Sequence, residues 1–454
     1  MEQEENKLHK KYGLPTAISM VVGTVIGSGV FFKASKVLQS NNGNMLHSII
    51  TVLSVGIIML VCAYVFSLLA ARVDKVNGLI DYSEISCGPF YAYAVGWFAS
   101  TIFYPTITSC LAWISAKYII MLFGIELGWW FHYLLAALLL TASFFFNLLT
   151  PKISGKFQVS TTAIKLVPLL IMAIAGTVAG LINGTTVTNL TSTHSTITGG
   201  GGLFAAIVAF AFAYEGWIFA TTINAEIKDS KKNLPRALFF GSIVIISVYV
   251  LYFLGLMGVL SAEEIVASGD ELPRVAFSAL FGSPIFGTLI YVFVVISCLG
   301  TMNGLMMACT RGMYSVAARG EGIAPKLFSK VNPKTDMPTA SAIFGLGVCL
   351  VWLTQWQLGF VEGYLPKFLS FENDELPIVT FYIACIPIFI YVMRKCTDLG
   401  VIKRFVIPSL ACLSCLFMVF CAIYSYRIDA LYYFIVLAVI MAIGLPFYNR
   451  SKKQ

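Results

Sequence analysis

Long apolar runs, separated by short polar or charged stretches, fill almost the whole chain. A run of roughly 20 apolar residues crosses a bilayer as a helix. Such runs occur at 14–37, 46–70, 91–122, 132–149, 157–181, 203–224, 237–260, 280–315, 339–358, 372–393, 404–425 and 428–448. The pattern predicts an all-α integral membrane protein with twelve transmembrane helices. Two runs are interrupted midway, the first by Gly23-Thr24-Val25-Ile26-Gly27-Ser28-Gly29 and the sixth by Phe212-Ala213-Tyr214-Glu215-Gly216-Trp217. Hydrocarbon penalises every unpaired N–H and C=O, so a break made by glycine persists only where protein, water or a ligand satisfies those groups. The first five predicted helices (14–181) and the next five (203–393) then form two units, each opening on a broken helix. An odd helix number inverts the second unit against the first. The expected plan is one transmembrane domain over 1–454: a 5+5 inverted repeat with two extra helices at 404–448, and a buried polar site between the halves.

Composition narrows the choice of solvent. The 454 residues are 58% hydrophobic and 11% charged, whereas a soluble domain is about a quarter charged. Most Lys and Arg fall on one side of the predicted helices, among them Lys10, Arg72, Lys152, Lys232, Arg319 and Arg394. The side with the excess is cytoplasmic, which places both termini there. The first thirteen residues are polar and no small-residue cleavage site follows the first run, so that run is read as a retained helix and not a signal peptide. A net charge of +8 suits the anionic inner leaflet and needs no nucleic-acid partner.

Candidate chemistry is sparse. Eleven cysteines lie almost entirely in apolar runs, as small hydrophobes do. Cys412 and Cys415 form a CxxC without a nearby His, so no metal and no cofactor is expected. No histidine is placed to relay protons across the membrane core. The midplane offers two ionisable groups, Lys165 and Glu215, too few for a catalytic constellation, and the chain is not read as an enzyme. No filter repeat or ring of like charge supports a channel. The connection 182–202 ends in four glycines without the Lys-Ser/Thr of a phosphate loop and reads as a flexible outer linker. Its sequons at Asn183 and Asn189 fall on the outer side.

The motif Gly23 to Phe31, the Tyr214-Glu215-Gly216-Trp217 break, the Asn233-Leu234-Pro235-Arg236-Ala237 loop, and Asn303-Gly304 followed by Arg311, Tyr314, Ala318-Arg319 and Pro325 resemble the amino acid-polyamine-organocation superfamily. The similarity is strongest to the L-type amino acid transporters and their prokaryotic relatives. It covers predicted helices 1 to 9 and fades at 360–380, where Glu372, Asp374 and Glu375 stand at the expected entry to the tenth. The resemblance implies a secondary transporter that moves L-amino acids across the plasma membrane by alternating access. A carrier of cationic amino acids or polyamines, and a non-transporting amino acid sensor on the same fold, are the alternatives. Lys165 resembles the fifth-helix lysine of sodium-independent relatives, whose ammonium stands where sodium-coupled members hold a cation. That implies sodium independence, with exchange or proton symport as the mode. L-type relatives with a heavy-chain partner carry a cysteine in the outer loop after the third helix. Residues 123–131 contain none, so no disulfide-linked partner is expected and a single-chain prokaryotic membrane protein is.

An amino acid buried in hydrocarbon must regain at each charged end the hydrogen bonds that water gave it. Unwound Gly27, Ser28 and Gly29 present N–H groups near a half-helix N-terminus, suited to a carboxylate. Carbonyls around Val25, Ile26, Phe212 and Ala213 suit an ammonium group. Gly23 and Gly27 also fit a small-residue packing face. Thr24 lies in the same break, Trp217 either walls the pocket or packs as an ordinary aromatic, and Thr301 and Asn303 are further cavity candidates, with the alternative that Asn303 joins helices by hydrogen bonds. Glu215 is open to three roles: receiving a cationic side chain, holding a proton, or pairing with a neighbour. Lys165, if at a helix end, would snorkel. Glu372, Asp374 and Glu375 either repel anions at an outer mouth or cap the tenth helix.

Overall fold

The computed structural model describes residues 13–27, 29–72, 78–149, 151–191, 197–198, 201–218, 227–335 and 337–448. It is helical almost throughout, and among these residues the sole β feature is an isolated antiparallel bridge between Asn332 and Met337. Among the described residues ten helices are long and apolar enough to span a membrane, and one bent pair is so when its two helices are taken together. The pair is α1 (Leu14–Val25) and α2 (Gly29–Ser40), inclined at 47°. There follow α3 (Met45–Ala70), the shorter α4 (Leu79–Cys87), α5 (Pro89–Phe123), α6 (Trp129–Leu149) and α7 (Pro151–Ile171), which continues to Ile182. After α8 (Thr185–Thr191) come α9 (Gly202–Ala211), α10 (Ser230–Val259), α11 (Pro284–Ala317), α12 (Thr339–Val361), α13 (Leu376–Lys395), α14 (Ile402–Tyr426) and α15 (Ile428–Tyr448). The sixth apolar run is seen as α9 alone, since the second half of that run falls mainly on 219–226, outside the described residues.

Two segments differ from expectation in ways that bear on the site or its surroundings. The tenth apolar run begins its helix at Leu376 rather than at 372, because 372–375 forms a turn that faces charged partners instead of lipid. The connection after α7 is not a plain flexible linker, since α8 docks on the end of α10. Thr185 Oγ1 donates to the Gly258 carbonyl at 2.7 Å, and Asn189 Nδ2 donates to the carbonyls of Met257 at 2.7 Å and Leu260 at 3.0 Å. Asn189 thereby satisfies helix-end carbonyls that would otherwise lack partners, and its amide is engaged rather than presented for glycosylation.

Helix ends follow local chemistry. Asn44 caps α3 by accepting from the His47 N–H at 2.9 Å, and prolines at the first turn start α5, α11 and α13 where no N–H is needed. One continuous apolar core runs through the bundle. α10 lies against α3 and α1, α9 against α2 and α14, and α11 against α5 and α7. The described parts of both broken helices thus pack against unbroken ones. Arg319 pairs with Asp81 and, at 3.6 Å, with Glu84, tying the end of α11 to α4.

Candidate functional site

α1 stops where Ile26 adopts extended backbone (φ −68°, ψ 99°), its N–H still donating to Val22. Gly29 starts α2, and Ser28 between them lies outside the described residues. The second break begins with a single tight turn at Phe212–Tyr214, after which Glu215 is extended (φ −76°, ψ 153°) and Gly216 takes φ +113°. Only glycine adopts that φ without strain. A Cβ on Gly216 would lie 2.6 Å from the Thr24 carbonyl oxygen, and one on Gly29 would lie 2.7 Å from Ala213 Cα. The two breaks therefore meet backbone to backbone.

A cavity lies where they meet. Thr24, Val25, Gly27 and Gly29 line it from the first break, and Phe212, Glu215 and Gly216 from the second. Ile107 and Leu111 of α5 and Thr301 and Leu305 of α11 complete it. The space open to the centre of a water molecule is about 20 Å³, enough for about one water. An amino acid enters only if the lining helices separate.

The sequence candidates divide sharply around this cavity. Glu215 is 6% exposed, and neither of its carboxylate oxygens has a hydrogen-bond partner among the described residues. Pairing with a neighbour is thus not seen there. Lys165 is 0% exposed and does not snorkel. Its Nζ donates to the Gly23 carbonyl and, at 3.3 Å, to Thr301 Oγ1. The ammonium group thereby ties the end of α1 to α11 beside the cavity. Gly23 faces Thr162 and Gly27 faces Thr301, so the two glycines approach different helices and not one packing partner.

Several expectations are corrected. Trp217 does not wall the cavity; it is buried behind it against Phe66 and Phe381, with ring centroids 5.3 and 6.0 Å away. Asn303 is not a lining residue either. It exchanges hydrogen bonds with Asn147 (2.9 Å) and Ser154 (3.0 Å), joining α11 to α6 and α7. The break carbonyls are only partly free: the Tyr249 hydroxyl of α10 donates to Ala213 at 2.8 Å and lies 3.3 Å from the Val25 oxygen, while Phe212 accepts from the Glu215 N–H. Ile26 is buried and absent from the lining. Tyr249 escaped the sequence reading because an apolar run gives no sign of which tyrosine faces a break.

Glu375, at the N-terminus of α13, makes no side-chain cap bond, and Glu372, Asp374 and Glu375 pair with α2. Lys33 Nζ lies 2.7 Å from Asp374 Oδ2 and 2.5 Å from Glu375 Oε1, and Lys36 Nζ lies 2.7 Å from Glu372 and 3.0 Å from Glu375. The Tyr426 hydroxyl of α14 donates to Glu375. The signal was present in the sequence as two lysines three residues apart in an apolar run, facing three acids at the start of another.

Residues 12–445 match the family model described as amino acid permease. The chain is 31% identical to the serine/threonine exchanger SteT of Bacillus subtilis, over 78% of either chain. It is 29% identical to the cystine/glutamate transporter of Homo sapiens over 93% of this chain and 82% of that one. It is 26% identical to the b(0,+)-type amino acid transporter 1 of Homo sapiens over 80% of this chain and 74% of that one.

Proposed function

Because the chain belongs to the amino acid permease family, we propose that it is a sodium-independent amino acid exchanger, and that Glu215 receives the cationic side chain of its substrate. The observation that carries the substrate class is the Glu215 carboxyl, buried at the cavity with no protein partner among the described residues. An isolated carboxylate in a low-dielectric site is strongly disfavoured, and a substrate cation removes that cost. The substrate backbone would sit at the breaks, its carboxylate at the N–H groups of Gly27 to Gly29 and its ammonium at the carbonyls that Tyr249 now shares.

Exchange is supported by the similarity to the serine/threonine exchanger of Bacillus subtilis. Sodium independence is supported by Lys165, whose ammonium already bridges Gly23 and Thr301 with the positive charge a bound cation would bring. The chain acts alone in the cytoplasmic membrane of a prokaryote, both termini inside, with 14–181 and 203–393 as inverted units that alternate about the site. It performs no chemistry on its substrate. The apolar side chains of Ile107, Leu111 and Leu305 favour a second reading, in which Glu215 carries a proton and the substrate is neutral.

Counterflow in proteoliposomes separates the two. Labelled cationic and neutral amino acids are exchanged by the wild type and by Glu215→Gln, in sodium and in choline. The expected result is a loss of about tenfold or more in cationic exchange by the variant, the equivalent of one charge-assisted hydrogen bond, with neutral exchange little altered and sodium without effect. Equal loss for both substrate classes overturns the side-chain role.

A further inference from the structure

The outer cluster holds three carboxylates against two ammonium groups. Lys33, Asp374 and Glu375 are buried, and Glu372 has a side chain 16% exposed. A net negative charge in such surroundings is costly. The excess falls on Glu372 and Glu375, which share Lys36 and both reach the Tyr426 hydroxyl, Glu372 at 3.3 Å. Lys33 and Lys36 face this pair from α2, Asp374 from the same turn, Tyr426 from α14, and the Cys110 thiol of α5 lies within reach of the same charges.

The cluster touches the cavity through one ring. Phe212 lines the cavity, Lys33 Nζ stands 5.5 Å from its centroid, and Phe32 packs edge-on against it at 5.5 Å. Movement of α2 away from α13 removes the cation over Phe212 and the partners of the acids in one step. Charge asymmetry assigns this end of the bundle to the outside.

We propose that Glu372 and Glu375 form an outer proton site, loaded when α2 closes on α13 and α14, which makes closure of the outer path respond to extracellular pH. The proposal rests on the reading of the central cavity as a transport site. When the outer end opens, water returns to the carboxyls and Glu372 regains the ordinary acidity of a glutamate, near ~4.3. In the closed cluster, burial and then the Glu375 charge raise Glu372 to about 7, against the pull of Lys36. Glu375 goes the other way. Burial acts to raise it, but the Lys33 and Lys36 ammonium groups prevail and hold it well below the carboxylate range. One proton therefore passes from external water to a Glu372 oxygen as the outer end closes. Proton binding favours closure fully below the open-state value and loses its effect as pH rises through about 7. Between those limits the closed-to-open ratio changes by up to about tenfold per pH unit.

Hydrogen–deuterium exchange of 29–40 and 372–385 in the purified chain, corrected for the intrinsic pH dependence of amide exchange, reads this directly. From pH 5 to 9 the wild type should lose protection at both segments, the profile levelling off above about 7 and its midpoint lying below that. Glu372→Gln, which keeps the hydrogen bonds of a protonated acid, should show a flat profile, while Glu215→Gln should keep the wild-type midpoint. Constant protection in the wild type, an unaltered profile in Glu372→Gln, or loss of the midpoint in Glu215→Gln overturns the outer proton site. Counterflow at pH 5.5, run alongside, tests the underlying reading separately: a wild type that shows the exchange midpoint but moves no amino acid contradicts the transport site and not the proton site.

Discussion

A cluster of three acids and the single buried Glu215 lie on the two sides of Phe212, and they are treated in opposite ways. At the end of the bundle where α2 meets α13, Glu372, Asp374 and Glu375 all pair with lysines from α2. At the break, Glu215 is given no partner among the described residues. Both sit among apolar side chains, so the penalty for an unpaired charge applies to both. Where the protein supplies counter-charges, the acids hold helices together. Where no partner is seen among the described residues, a proton or a ligand can serve as the counter-charge. The two behaviours are joined by Phe212, which faces the cavity and lies beside the Lys33 ammonium.

The strongest way to break this comparison is to prevent the two breaks from meeting. Gly216→Ala puts a methyl group 2.6 Å from the Thr24 carbonyl at a φ of +113°. Strain of this kind costs about 3 kcal/mol before the clash is counted, and a shift of about 1 Å in a positioned site costs around a hundredfold in rate. Counterflow should fall by about that factor or more, for cationic and neutral substrates alike. A variant that transports normally would show that the breaks need not touch.

Next in size is the outer cluster. Lys33→Met takes from Asp374 its ion-pair partner among the described residues and leaves Glu375 with Lys36 alone. Breaking a buried pair in this way costs about 3–5 kcal/mol, read as a lower unfolding temperature in detergent. Adding Asp374→Asn removes the carboxylate that depends on Lys33 alone, and most of the loss should return. Additive losses would mean that the ion pairs do not hold α2 in place.

These differences also explain what was legible beforehand. Apolar run length identifies spanning helices because lipid leaves the backbone no other option, and the breaks at Gly27–Gly29 and at Glu215–Gly216 stand out against that uniformity. The L-type resemblance led to Lys165, whose contacts with Gly23 and Thr301 follow from its place along α7. Partnering across the bundle was not legible. A hydropathy pattern records how apolar a helix is but not its rotation, so it leaves Trp217 and Asn303 open between lining the cavity and packing between helices, and it gives Tyr249 no role at all. The charges of Lys33 and Glu375 are 342 positions apart, and one chain alone does not reveal such a pairing.

Trp217 gives the smallest effect and the finest test. Its indole N–H is buried without a hydrogen-bond partner among the described residues, and its ring packs on Phe66 and Phe381 behind the cavity. Trp217→Phe keeps an aromatic ring between those two and removes the unpartnered donor. The smaller ring gives up packing area, while loss of an unsatisfied N–H returns about 1–3 kcal/mol. These terms oppose each other, so the unfolding temperature should shift by the equivalent of about 1 kcal/mol or less in either direction. Since the ring does not line the cavity, the ratio of cationic to neutral exchange should stay at the wild-type value even if total activity moves slightly. A changed ratio would mean that the indole reaches the substrate when the helices part, and the division between the Glu215 carboxyl in front and the aromatic packing behind would then describe the closed arrangement alone.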